Sequence, residues 1–187
     1  MTRSIRLAAA ALATSFAAAP AIAHPGHGGW FDGLAHPFTG ADHLAAMLAV
    51  GLWSATRGPG RAWQGPAAFL AALLLGALAG MAGGELPLVE AGTVASLALF
   101  GAMLLAGPRL GDGAGLTLIG AAGLVHGYAH GTEVSGSVPA FVAGFVLSSA
   151  VLHAGGFFAG RRLLTLRNGI AAAAGLLIAG SAALAFS

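Results

Sequence analysis

The sequence predicts an all-α membrane protein, a polytopic bundle of six transmembrane helices behind a cleavable signal peptide, with both mature termini outside. Three observations predict it. Hydrophobic residues make up 57% of the chain and charged residues 7%, against roughly 25% charged in soluble domains. After residue 36 the apolar runs have lengths close to the ~20 residues that cross ~30 Å of hydrocarbon. Beyond residue 36, finally, the arginines fall only in alternate connections between those runs.

The first 23 residues have the layout of a secretory signal. Arg3 and Arg6 supply the positive start, Leu7 to Pro20 the apolar stretch, and Ala21-Ile22-Ala23 an A-x-A cleavage site. An uncleaved first helix is the alternative. Cleavage leaves a mature chain of residues 24–187 that begins His24-Pro-Gly-His27, two exposed imidazoles and a free amine able to capture a divalent ion.

The six expected spans are 37–56, 66–84, 87–107, 113–131, 139–159 and 168–186. Arg57 and Arg61 follow the first, Arg109 the third, and Arg161, Arg162 and Arg167 the fifth, whereas Glu85 and Glu133 follow the second and fourth. The positive-inside rule then makes the arginine-bearing connections cytoplasmic, which agrees with an exported N-terminus. Gly76, Gly80 and Gly84 in the second span and Gly123, Gly127 and Gly131 in the fourth recur at a spacing that lets helices approach closely. No internal repeat is legible.

Several function classes drop out. Without cysteine there is no disulfide, thiolate site or thiol redox chemistry. The pI of about 10.5 comes from eight scattered arginines with no basic patch, so nucleic acid is not an expected partner. No prosthetic group is expected, and no nucleotide-binding motif offers ATP hydrolysis.

What remains is a set of ionisable side chains in or beside apolar spans, costly there and a functional-site hypothesis by default. His36, Asp42, His43 and Met47 stand at the head of the first span, with Pro37 read as its first turn. His43 and Met47 share one helical stripe with Val50 and Ser54, and Asp42 lies beside it. On a regular helix His36 and His43 would stand ~10 Å apart along the axis, too far for one ion unless Gly40 marks a break that folds His36 back. His126 and His130 are one helical turn apart in the fourth span and can grip the same ion. Glu133 lies near that stripe as a ligand or supporting acid. His153 is expected deeper, as an inner relay or a plain helix-to-helix hydrogen bond. Glu90 has similar status, and Asp112 reads as an ordinary loop charge.

The stretch from His36-Pro-Phe-Thr-Gly-Ala-Asp42-His43 to Gly51-Leu-Trp53 closely resembles the signature of the HupE/UreJ family. The resemblance extends to His126-Gly-Tyr-Ala-His130-Gly-Thr-Glu133, to Leu-His153-Ala-Gly-Gly and to the His-Pro-Gly-His start. It implies a small bacterial inner-membrane permease for nickel, or in some members cobalt, that serves hydrogenase or urease maturation alongside metallochaperones. It also implies that His36, Asp42 and His43 form one essential motif, and His126, His130 and Glu133 a second. Imidazole with carboxylate suits Ni²⁺ and Co²⁺ and also binds Zn²⁺, while the lack of thiolate weighs against Cu(I). Two alternatives stay open at this point: a membrane-embedded zinc hydrolase, with Asp42 or Glu133 as base, and a metal-binding accessory subunit that does not transport.

Overall fold

The computed structural model describes residues 29–58, 60–83, 86–133 and 136–186. The expected signal segment, His24 and His27 lie outside them. The described residues are all-helical: α1 (Trp30–Thr39), α2 (Ala41–Ala55), α3 (Gln64–Gly83), α4 (Val89–Ala106), a 3₁₀ turn (Gly107–Arg109), α5 (Asp112–Glu133), α6 (Val138–Leu163) and α7 (Gly169–Ala185). Three stretches, Gln64–Gly83, Val89–Arg109 and Val138–Leu163, are long and apolar enough to cross a membrane. Leu75, Leu78, Val151 and Phe158 stand exposed on α3 and α6, an apolar outer surface suited to hydrocarbon rather than water.

The largest departure from expectation is at the start. A single helix from Pro37 was expected. Instead the chain is helical from Trp30, with Pro37 buried inside α1. Asp32 stabilises this earlier start: it lies in the first turn and accepts the Gly29 N–H at 3.2 Å. Proline removes a backbone donor, and α1 ends two residues later. Gly40 is extended, with φ −103° and ψ 124°, and α2 begins at the next residue. A Cβ on Gly40 would sit 2.8 Å from His43 Nδ1 and 2.9 Å from Asp42 Oδ1, so the break keeps glycine for space. α6 also runs past its expected end at 159, taking Arg161 and Arg162 into its last turn.

The helices pair through close backbone approach. A Cβ on Gly127 would strike the Leu73 carbonyl oxygen, and one on Gly76 would strike that of Leu124. The two glycine rows read from the sequence therefore face each other and interlock α3 with α5. α2 meets α6 in the same way, with Gly156 against Leu48 and Gly51 against His153. In both pairs the residue numbers rise together, so the helices are parallel: Phe69, Leu73 and Ala77 meet Gly123, Gly127 and Gly131, while Leu48 and Ala55 meet Gly156 and Gly160. α4 and α7 are antiparallel, as Ser181 donates to the Val94 carbonyl at 2.9 Å while Gly101 faces Ala174. α1 crosses the first half of α6, where Gly33 meets Phe141.

This pairing carries a symmetry with no counterpart in the sequence. Exchanging α2–α4 for α5–α7 maps the α2/α6 pair onto α5/α3 and the antiparallel α4/α7 pair onto itself. The three tightest pairings thus follow the order of an inverted repeat, whereas weaker contacts such as α2 on α4 have no comparable counterpart between α5 and α7. The pairing also gives the bundle two distinct ends. Gly40 and the start of α4 lie at one, with the histidines of α1, α2 and α5. Arg57, Arg61 and Asp112 lie at the other.

Candidate metal site

The structure brings together four histidines and one acid that sequence spacing alone left on separate spans. The break at Gly40 turns α1 back so that the His36 and His43 rings are 6.2 Å apart, not the ~10 Å of a regular helix. His130 lies within 4.5 Å of His36 and 4.3 Å of His43, ring centre to ring centre, and His126 within 4.9 Å of His43. His126 and His130 are buried.

Hydrogen bonds set the tautomers. Asp42 Oδ1 accepts from His43 Nδ1 at 2.8 Å, which leaves the lone pair of His43 on Nε2. An acid that fixes the tautomer of a ring in this way is the usual support of a metal-binding histidine. The Ser96 hydroxyl donates its one proton to the Thr93 carbonyl at 2.6 Å, so at 2.9 Å it accepts from His126 Nε2 and leaves the lone pair on Nδ1. His130 Nδ1 meets His36 Nε2 at 2.7 Å; with Nδ1 as the donor, the His130 lone pair is on Nε2. His43 Nε2, His126 Nδ1 and His130 Nε2 are all buried without a hydrogen-bond partner. An unsatisfied buried polar atom costs about 1–3 kcal/mol, and a borderline cation is the partner that three imidazole lone pairs suit best. These nitrogens do not form a closed cage: among the described residues, no three His, Asp or Glu side chains are disposed to hold one ion.

The other expected residues are placed differently. Met47 is buried in the apolar core one turn beyond His43. His153 lies apart, with Phe69 between it and His126: the Phe69 ring is 5.6 Å from His126 and 5.5 Å from His153. Both His153 nitrogens are buried without a partner, so the alternative of a hydrogen bond to a neighbouring helix is not realised among the described residues. Glu133 is the last residue of α5, and its side chain lies outside the described residues. Glu90 is exposed in the first turn of α4. Asp112 is no ordinary loop charge, because it takes both Arg57 and Arg61.

Sequence reasoning passed over Thr93, Ser96 and Phe69. Thr93 and Ser96 are buried, and the Thr93 hydroxyl bears on the Asp42 carboxyl while donating to the Glu90 carbonyl at 2.7 Å. Their signal was two hydroxyls three residues apart in an otherwise apolar run. Phe69 gave none, since one more phenylalanine in an apolar helix looks like core.

Fold and site together define a histidine-lined, all-helical membrane protein. A family profile described as HupE / UreJ protein matches residues 12–185. Protein HupE of Rhizobium leguminosarum bv. viciae is 34% identical over 171 residues, covering 88% of this chain and 87% of that protein. The chain belongs to the HupE/UreJ family. No solved structure matches it.

Proposed function

We propose that this chain is a permease that carries Ni²⁺, or Co²⁺, into the cytoplasm along an imidazole-lined path and so supplies hydrogenase or urease maturation. The observation that carries the reading is the set of three buried imidazole nitrogens without a hydrogen-bond partner, on His43, His126 and His130, whose other nitrogens are held by Asp42, Ser96 and His36. A set without a closed cage suits a passing ion, since conduction needs binding strong enough to admit the ion and weak enough to release it. Zn²⁺ fits the same donors. An apolar cavity of about 260 Å³ between α3 and α6 reaches His130, but its other walls give a cation no ligand, so approach runs past Asp42. Glu133, His24 and His27 are assigned to capture at the mouth, Met47 to the wall and His153 to the inner relay.

The reading includes a cleaved signal at 1–23, six spans built on α2 to α7, and an inner-membrane protein with both termini outside. The alternation of helix directions and the gathering of Arg57, Arg61 and Asp112 at one end support that topology. Membrane potential, proton exchange or cytoplasmic consumption of the metal would drive entry.

The test is uptake of ⁶³Ni²⁺ and ⁵⁷Co²⁺ by cells expressing the chain, with Asp42→Asn and His43→Ala at matched membrane abundance. Uptake by the wild type that both variants lose is the expected result. No uptake by correctly inserted wild type would overturn it in favour of the hydrolase or the accessory subunit.

A further inference from the structure

The path proposed above must also close at the end away from the histidines, and the side chains there are built as a closure. Trp53 is 2% exposed and lies ten residues beyond His43 on α2, about 15 Å along the helix. Its indole is wedged between the starts of two other helices. A Cβ on Gly65 of α3 would stand 3.2 Å from Trp53 Cε3, and one on Gly115 of α5 would strike the six-membered ring. Ser54, next in the chain and on the same stripe as His43, is 1% exposed beside it, where both side chains pack against Gly65.

Arg57 covers the indole. Its guanidinium carbon is 4.1 Å from the ring centre, and its Nη1 donates to Asp112 Oδ1 at 3.1 Å and to the Leu110 carbonyl at 3.3 Å. The other Asp112 oxygen takes Arg61. Three helices are thus tied at one point: α2 through Trp53 and, two residues past its end, Arg57, α5 through Asp112, and α3 through the contact at Gly65.

The closure is also poorly satisfied. Arg57 is 9% exposed, yet its Nε and Nη2 are buried without a partner, as is Trp53 Nε1. A fixed structural arginine would be expected to use its whole fork. Here, admitting water would satisfy three donors at once and so offset the loss of the ion pair.

We propose that Trp53, clamped by Arg57 and Asp112, is a movable stopper that closes the arginine-bearing end of the ion path. Parting of the Arg57–Asp112 pair releases the indole and admits water to Ser54. The inference takes its path from the permease reading, but its test needs neither metal nor uptake.

The chain has no cysteine, so Ser54→Cys introduces the sole thiol. Its rate of modification by a small water-soluble methanethiosulfonate is measured on the full chain in nanodiscs, alone and combined with Asp112→Asn or Asp112→Glu. Slow labelling of the single variant, at least tenfold faster labelling with Asp112→Asn, and slow labelling again with Asp112→Glu are expected. Ala174→Cys in the Asp112→Asn background, at a fully buried site on α7, should stay unlabelled. Equal rates with Asp and Asn at 112, a fast rate with Asp112→Glu, or labelling at 174 would each overturn the stopper, the last by showing general loosening. Unaltered labelling beside normal uptake removes the stopper alone, and failed uptake beside the expected labelling removes the permease alone.

Discussion

The two ends of this bundle solve opposite problems with side chains of the same sign. At one end, imidazoles crowd together with lone pairs turned inward and a single carboxylate, Asp42, for company. At the other, guanidinium groups are tied to Asp112 and stacked on Trp53. An imidazole can shed its proton and become a ligand, but a guanidinium cannot. One end therefore offers groups that suit a cation as partner, and the other offers fixed positive charge that does not.

The largest effect should follow His130→Ala, which removes the ring shared by His36 and His43. Uptake should fall at least tenfold at matched abundance. The stabilisation expected of Ni²⁺ in the wild type, about 2.7 kcal/mol at a hundredfold excess over the dissociation constant, should vanish as well. A preserved metal-induced shift would break the assignment of that end.

Acidification should separate the ends. Protonation of imidazole competes with metal binding, so uptake should weaken as the pH is lowered from 7.5 to 5. The hydrogen bond from Arg61, and then the charge of Arg57, hold the Asp112 carboxyl below its ordinary range. A depressed carboxyl contributes stability that is present above its unfolded value, near 3.9, and lost only as pH falls towards its folded one. Labelling of Ser54→Cys should therefore be the same at pH 7.5 and 5. Parallel pH dependence of uptake and labelling would collapse the distinction between the two ends.

Arg57→Lys should have a smaller effect. It keeps the charge but loses the planar fork and most of the stacking on Trp53, at a cost of about 1 kcal/mol. Thermal unfolding would register the loss, together with a few-fold rise in Ser54→Cys labelling. Least of all should come from Arg61→Ala. That side chain is 67% exposed, and such surface pairs contribute roughly 0–1 kcal/mol, so uptake at matched abundance should be unchanged.

Much of this was legible in the chain because membrane segments announce themselves by length and charge. The alternation of helix directions follows the arginines, and the facing rows Gly76/Gly80 and Gly123/Gly127/Gly131 were visible as spacing. The grouping of His126 and His130 needed only one helical turn. The start of α1 was missed because Pro37 suits a first turn as well as a last one, and the Asp32 and Gly29 pair that begins the helix lay in what looked like a tail. The nearness of His36 to His130 is a tertiary fact, set by the break at Gly40. Asp112 looked idle because its partners, Arg57 and Arg61, lie about fifty residues earlier. The order of the tightest pairings was not legible either, because it resides in which helices touch and in what direction.

The glycine contacts have a mechanical consequence. With carbonyl oxygens seated where side chains would be, α3 cannot slide on α5, nor α2 on α6. Each pair is thus held as a unit by backbone contact, and the looser packing lies between the pairs. His43 lies on the α2/α6 pair and His126 and His130 on the α3/α5 pair, while Arg57 and Asp112 face each other across the same seam at the far end. The histidine crossing and the arginine crossing are therefore two ends of one seam between the same two helix pairs, so whatever alters the packing of that seam bears on both.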